Sequence, residues 1–400
     1  MVGSHALINF DEAVALVLEV AKPIGGERVA LANAAGRVLA QPVIARVDSP
    51  PAAVSAMDGY AVRETDLAEL PARLRVIGEA FAGSPAEQAI GPGECLRIFT
   101  GAPLPQGGDR VVIQEVVERV VDSAVISGPL SSGRHVRLRA SDFAAGDALL
   151  PAGRRLDPRA LVAAAAADMG EVEVHRRPRV TIIGTGDELV EPGEAAERPG
   201  TIPESVSFGV AALADAHGAE VIARRRLRDD PEALEAAAAA ALAASDLVIV
   251  TGGASVGERD YAKSMFGSAL ELVFAKVAIK PGKPVWLGRA QDKLVMGLPG
   301  NPTSALVTAR LLLAPLIAGL GGRDPRAALC WRIAPLAEPL SACGDRETFV
   351  RGAWAGNLVR PLSNQDSGAQ QALAEADVLI RRRPGAAALS SGETVEIIDF

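Results

Sequence analysis

The sequence predicts a multidomain fold of mixed class, α/β plus β. A central α/β domain with a parallel sheet between helices, in three layers, is flanked by a β-rich N-terminal region and a small C-terminal β-barrel-like domain. Three observations predict it. Strand-like and helix-like segments alternate from Pro178 onward, two glycine-bearing turns fall where strands of that alternation end, and on either side the chain breaks into short Val/Ile-rich runs punctuated by Gly, Pro, Asp and Ser. At about 150 residues per domain, 400 residues hold two to three such units.

Taken in order, FDEAVALVLEVAKP from Phe10 places Val14, Leu16, Val17 and Val20 near one helical face, with Asp11 and Glu12 favouring the N-terminal dipole and Pro23 ending the run. Residues from Arg28 to Gly153 read as β-rich, through runs such as RVLAQPVIA, CLRIFTG and RVVIQEVVERVV. Pro158 to Gly170 is helical, and Glu171 to Pro178 reads as a connector. A strand (RVTIIGTG), a helix (Val206 to His217), a strand (AEVIARRRL), an Ala-rich helix (Pro231 to Ala244) and a strand (DLVIVTGG) follow, which is the order of a parallel sheet. After Arg323 the chain is β-like again and ends on the alternating run TVEIIDF. The corresponding boundaries are 178–325 for the α/β domain and 326–400 for the C-terminal domain.

Composition narrows the function. A formal net charge of −8 offers nothing broadly attractive to a phosphate backbone, so a dedicated nucleic-acid binder is disfavoured. The first thirty residues carry Asp11, Glu12 and Glu19 within their apolar stretch, the opposite of a secretory signal, and Arg310 interrupts the apolar stretch Ser304 to Leu320, so no membrane span is expected. Three cysteines without CxxC spacing and four scattered histidines remove zinc-finger, disulfide-scaffold and haem readings and make the cytoplasm the expected compartment.

In open parallel sheets ligands bind beyond the carboxyl ends of the strands, and both glycine turns fall there. They are Gly184-Thr185-Gly186-Asp187-Glu188 and Thr251-Gly252-Gly253-Ala254-Ser255-Val256-Gly257. Glycine lets backbone N–H groups approach an anion closely, so these turns form a candidate phosphate cradle; neither a Walker loop nor GxGxxG is present. Asp187, Glu188 and Asp260 beside the cradle would repel a bare phosphate unless a hard cation sits between them, which points to Mg²⁺, although Asp187 reads equally well as a helix cap. Lys276, Lys280 and Lys283 emerge from a segment whose Val277, Ala278 and Ile279 look buried, so they are expected to meet an anion. Two rigid loops complete the set: SAMDGY with Asp58, and GLPGNPTS, where Pro299 and Pro302 fix φ before a helix whose N-terminus could hold an oxyanion.

These loops resemble one family closely, the molybdopterin molybdenumtransferases of the MoeA/gephyrin group. The resemblance rests on GRVLAQPV (36–43), SAMDGYAV (55–62), IFTGAPLPQGGDRVVIQE (98–115), VTIIGTGDEL (180–189), DLVIVTGGASVGERDY (246–261), KVAIKPGKP (276–284) and GLPGNPTSALV (297–307), all in the family's order. It continues more weakly through DRETFVRG (345–352) and SNQDSG (363–368). The resemblance implies a molybdopterin-binding type of α/β domain, an N-terminal half divided into an elongated dimerisation region (1–45 with 141–177) and a β-rich domain (46–140), and an elongated homodimer with a composite site. It implies adenylylated molybdopterin and molybdate as substrates, Mg²⁺-dependent release of AMP, and the molybdopterin adenylyltransferase and molybdoenzymes as partners. Carried over by motif, Asp58, Thr100, Glu188, Asp229 and Asp260 are the acidic and hydroxyl positions around metal and pyrophosphate. Lys276, Lys280 and Lys283 become the anion-holding set, Ser367 with Arg346 or Arg351 comes from the C-terminal domain, and Asp142 matches an aspartate that the family places after Gly-Glu, here Ala140-Ser141. Val54 and Val206 stand where the family has Asn. Two other readings remain: a molybdopterin adenylyltransferase, or a cofactor-binding scaffold without catalysis.

Overall fold

The computed structural model describes residues 6–84, 86–252 and 261–400. The first helix, Phe10–Val20, begins at a capping box in which the Glu12 N–H donates to the Asn9 side chain at 2.8 Å and the Asn9 N–H donates to the Glu12 carboxylate at 3.0 Å. Its buried face, Phe10, Ala13 and Val17, enters the core of the α/β domain, and the Phe10 ring meets Phe349 of the C-terminal domain edge-on at 5.0 Å. Arg381 donates to Asp11 at 2.7 Å and also bonds Glu347, so one guanidinium fastens this helix to the C-terminal sheet.

A six-stranded sheet fills the β-rich N-terminal domain, in the order Arg110–Ile113, Gly59–Val62, Glu94–Ile98, Ala72–Ala80, Ser123–Ile126, Val117–Val120. Helix Pro158–Ala166 starts with Pro at its first position and Asp157 accepting from the Ala160 N–H at 2.9 Å. The segment after it corrects the sequence reading. Glu171–His175 is a strand, paired antiparallel with Gly26–Ala30, not a connector. Its alternation, Val172 and Val174 buried between exposed Glu171 and Glu173, spans too few residues to stand out without the partner strand.

The central sheet runs Glu220–Leu227, Arg179–Thr185, Leu247–Thr251, Lys293–Leu298, Trp286–Ala290, Leu270–Phe274. The first four strands are parallel, as expected; the last two are antiparallel. A two-residue turn at Gln291-Asp292, with Gln291 at a φ of 58°, folds Lys293–Leu298 back on Trp286–Ala290. Helices Val206–Ala216 and Pro231–Ala244 occupy the crossovers between the parallel strands, and the latter matches its expected limits to the residue. Pro302–Leu320 forms one continuous helical stretch with a π-helical turn at Ala309–Leu313. It is long and apolar enough to cross a membrane, yet 89% of its apolar window is buried inside the protein, which makes it the core helix of this domain. The C-terminal half-barrel orders Ile279–Lys280, Glu347–Ala355, Val378–Arg382, Thr394–Asp399 and Arg332–Pro335, with Leu358–Pro361 on the side of Glu347–Ala355.

Candidate functional site

The carboxyl ends of all four parallel strands open into one cleft of ≈ 740 Å³. Thr185 ends the first of these strands in sequence, Asp229 follows the second, Thr251 and Gly252 end the third, and Pro299 to Pro302 follow the fourth. Gly252 takes a φ of +87°, and a Cβ there would lie 2.4 Å from the Thr185 carbonyl oxygen, so the two turns touch backbone to backbone only because this residue is glycine. Thr185 is buried, and its Oγ1 has no hydrogen-bond partner among the described residues. A hydroxyl left in that state at a cleft wall is a ready contact for a polar ligand.

Carboxylates ring this opening. The Glu188 carboxylate folds back over Gly186, within 3.0 Å of where a Cβ would stand. Asp187 is not a helix cap, because Gly186 leads into a turn and the short strand Leu189–Val190 rather than a helix. Its side chain accepts from the Asp229 N–H at 3.2 Å and so ties the two strand-end loops together, while Glu188 and Asp229 line the cleft. Glu204, which sequence reasoning did not select, is buried in the same wall. It accepts from the Ser207 N–H at 2.8 Å and from the Ser207 hydroxyl, capping helix Val206–Ala216 from outside, with Arg224 at 3.9 Å. The signal was the Glu-x-x-Ser spacing ahead of that helix. Of the glycine-turn candidates, Gly253, Ser255, Gly257 and Asp260 lie outside the described residues.

A second cleft, ≈ 520 Å³, opens between the central domain and the C-terminal half-barrel. Lys280, Arg346 and Arg382 line it, with the carboxylates Glu338 and Asp345 in the same walls. Arg382 is 3% exposed, donates to the Ala387 carbonyl, and keeps one buried Nη1 with no hydrogen-bond partner among the described residues. A buried guanidinium nitrogen with a spare donor facing a cleft is suited to an oxyanion. Nothing in the run RRRP marked Arg382; Arg381 is buried beside it but paired with Asp11 and Glu347, and Arg383 is exposed, so only the fold singles Arg382 out.

Both clefts draw on the loop 363–370, which gives Ser363 and Gln365 to the second and Gln370 to the first. The Asn301 side-chain amide donates to Ser367 Oγ at 3.0 Å and the Thr303 N–H donates to the Ser367 carbonyl at 3.2 Å, so Ser367 sits on the turn that floors the first cleft. Arg351 faces neither opening. At 1% exposure it donates from Nη1 and Nη2 to Thr303 Oγ1 and to the carbonyls of Ala369, Asn364 and Asp366, at 2.9–3.2 Å, so it positions this loop. Between the two arginines that sequence reasoning left open, Arg346 is the one at a cleft.

Other candidates stand apart. Lys276 and Lys283 are exposed and line neither cleft; Lys276 opens a short strand beside Leu7, and the Val277 N–H donates to the Lys283 carbonyl. Lys276 and Lys280 are both exposed and Val277 and Ile279 between them are buried, but the two lysines belong to short strands of different sheets. In the N-terminal domain the N–H and the hydroxyl of Thr100 both donate to Asp58 Oδ1 at 2.8 Å, and these bonds, the backbone one foremost, hold the carboxyl below its ordinary range. The pair is preassembled and exposed, but lines neither cleft. Asp142 is also exposed, with its N–H donating to the Ser49 carbonyl at 3.0 Å. Among the described residues no group of three or more His, Cys, Asp and Glu side chains forms a ready-made metal cage.

Comparison with known proteins agrees along the whole length. Family models for the MoeA N-terminal region (domain I and II), a probable molybdopterin binding domain and the MoeA C-terminal region (domain IV) match residues 8–168, 181–319 and 333–400. A molybdopterin molybdenumtransferase of Nostoc sp. is 36% identical over 94% of this chain and 88% of its own length. One from Haemophilus influenzae is 34% identical over 98% of this chain and 99% of its own. A crystal structure of the molybdopterin biosynthesis moeA protein from Pyrococcus horikoshii OT3 superimposes with a TM-score of 0.86 at 27% identity, covering 99% of this chain and 100% of the other. The chain belongs to the MoeA family of molybdopterin molybdenumtransferases.

Proposed function

We propose that this enzyme works in molybdenum cofactor biosynthesis as a molybdopterin molybdenumtransferase, taking adenylylated molybdopterin and molybdate and releasing AMP in a Mg²⁺-supported reaction. One observation carries the reading: an acid-ringed cleft at the strand ends and a cleft with three cations, Lys280, Arg346 and Arg382, against two carboxylates, Glu338 and Asp345, are both built in part from a single loop, 363–370. The glycine turns and Thr185 receive the nucleotide end of the substrate. Lys280, Arg346 and Arg382 hold molybdate, a small dianion that needs guanidinium and ammonium donors. Arg351 keeps Ser367 between the two, so the chain mainly brings reactants together in a fixed geometry.

Hard carboxylate oxygens suit Mg²⁺, which is commonly bound by one or two carboxylates plus substrate phosphates, and Glu188 and Asp229 supply such a pair at the cleft. When bound, the ion would offset charge on the phosphoanhydride. Asp58 and Thr100 line neither cleft of their own chain, which supports reading them as a contribution to the cleft of a second copy in a homodimer. Three free cysteines suit a reducing cytoplasm.

The test is single-turnover conversion by purified protein given adenylylated molybdopterin, molybdate and Mg²⁺. Coupled appearance of AMP and active cofactor is expected; no AMP and no cofactor would overturn the reading, as would product formed instead from molybdopterin and ATP. Mixing Asp58→Asn chains with Glu188→Gln chains should restore turnover if the site is shared between copies, and no restoration would place both residues in one chain's site.

A further inference from the structure

A third pocket lies away from both clefts, at the junction of the N-terminal region and the central domain. Its walls come from the turn Ala35 to Val38 and Arg155 on one side, and on the other from the end of helix Val206–Ala216 and the segment Gly321 to Arg323. It is a partly open pocket of ≈ 200 Å³, room for roughly six waters. Five arginines and two histidines line it against a single carboxylate, Asp215, in a chain whose net charge is −8. Such convergence of like charge in a small space is unfavourable unless something offsets it.

Part of the offset is internal. Arg177 bonds Asp215 at 2.7 Å and caps the carbonyls of Gly218 and Ala219, so it neutralises both the one carboxylate and the negative end of the helix. Arg37 is likewise spent, on Glu27 and on the His175 carbonyl at 2.8 Å. Three guanidinium groups are left over. Arg176 makes only long contacts, 3.4 Å to the Ile24 carbonyl and 3.5 Å to Asp246. Arg155 reaches only the Gly36 carbonyl, at 3.4 Å. Arg323 has no side-chain hydrogen bond and no carboxylate partner among the described residues, although it is half-buried and faces the repulsion of Arg155.

Two further groups point the same way. Nδ1 of His175 and Nδ1 of His217 are buried without a hydrogen-bond partner among the described residues. Burial, with Arg310 and Arg323 nearby, lowers His217 to about 4, so its ring is neutral near pH 7 and can carry a donor N–H toward a ligand. Gly322, at a φ of +81°, is pressed so closely on the His175 ring that a Cβ would stand 2.0 Å from it, which fixes the imidazole in place.

We propose that this pocket binds a tetrahedral oxyanion of the phosphate class, held by Arg155, Arg323 and Arg176 with the two imidazoles behind it. Free phosphate and the phosphate end of a nucleotide present the same chemistry there, and the occupant bridges the N-terminal region to the central domain. Nothing in this assignment uses a residue of either cleft, so it stands or falls apart from the proposed reaction.

Isothermal titration of the full chain with inorganic phosphate, and separately with AMP, tests it. Wild type and Lys280→Gln, in which the cationic cleft is weakened, should both bind phosphate saturably. The Arg155→Gln/Arg323→Gln protein should bind at least about tenfold more weakly, the loss expected when charge-assisted hydrogen bonds are removed. Phosphate should also raise the melting temperature of Lys280→Gln by more than that of Lys280→Gln carrying both arginine substitutions. AMP binding more tightly than phosphate with the same dependence on both arginines would identify a nucleotide as the source. Arg155→Gln alone alters an exposed side chain that contacts little else, so it carries the test, with several-fold weaker binding, should the double variant fold poorly. Phosphate affinity equal to wild type in both arginine variants, binding lost in Lys280→Gln, or no saturable binding in wild type overturns the proposal.

Discussion

The strand-end cleft and the cationic cleft share a loop and almost nothing else. The first is shaped by backbone: glycines at positive φ, prolines, a buried hydroxyl and a rim of carboxylates supplied by loops after parallel strands. The second is shaped by long side chains, Lys280, Arg346 and Arg382, from two domains. Backbone geometry tolerates no substitution, because a Cβ at Gly252 has no space, whereas a side-chain cluster loses function by increments. Under the proposed function, separate clefts would keep the carboxylates beside a divalent cation from repelling molybdate, and keep the guanidinium groups beside molybdate from competing for the phosphates.

Gly252→Ala is the harshest way to break this contrast. The added methyl collides with the Thr185 carbonyl and demands an unfavourable φ, so turnover should fall by roughly 100-fold, the scale of an ångström's misplacement. Molybdate binding, measured by titration, should stay at the wild-type level; a matching loss there would mean the two clefts are one. Lys280→Gln reverses the pattern. It should weaken molybdate about tenfold through loss of one charge-assisted contact, with binding of the nucleotide substrate unchanged by equilibrium titration.

Arg351→Met probes the loop that joins them. Four buried acceptors lose their donor, so stability should drop by about 3 kcal/mol in urea denaturation, and both clefts should weaken together. Stability unchanged, or an effect confined to one ligand, would show that the loop is not shared support. Thr100→Val has the smallest effect. It removes the hydroxyl bond to Asp58 but leaves the backbone N–H, so turnover should fall only a few-fold. The Asp58 carboxyl is held low in the folded protein, so its benefit is present above the ordinary carboxylate range and fades as pH falls through the lowered value. With one bond gone that value rises, and the acid limb of a pH–rate profile should move to higher pH; an unmoved limb would take Asp58 out of the reaction.

Much of this was legible beforehand where a local rule operates. Helix Pro231–Ala244 was readable from Asp230 and Pro231 at its start and a run of helix formers behind them. The cradle was readable because alternation of strand and helix places turns at the carboxyl ends, whatever their exact composition. Asp187 was misread as a possible cap because an aspartate after a glycine turn looks the same whether a helix or a short strand follows. Arg351 and Arg346, five residues apart in one strand-bearing segment, could not be told apart, because burial against Thr303 depends on a contact 48 residues distant. Lys276, Lys280 and Lys283 look alike in sequence, yet only Lys280 reaches a cleft, being the one beside the C-terminal sheet at Thr348.

By itself the sequence determined the domain classes, the positions of the strand-end turns and the chemistry available at them, since these follow from periodicity, from the special φ of glycine and proline, and from charge. Only tertiary structure decided which charges remain unspent. Arg351, Arg177 and Arg37 satisfy carbonyls and carboxylates from distant segments, while Arg382, Arg323 and Arg155 keep donors over, and that difference arises because hydrogen-bond satisfaction is a property of what the fold brings alongside a group rather than of the residue type.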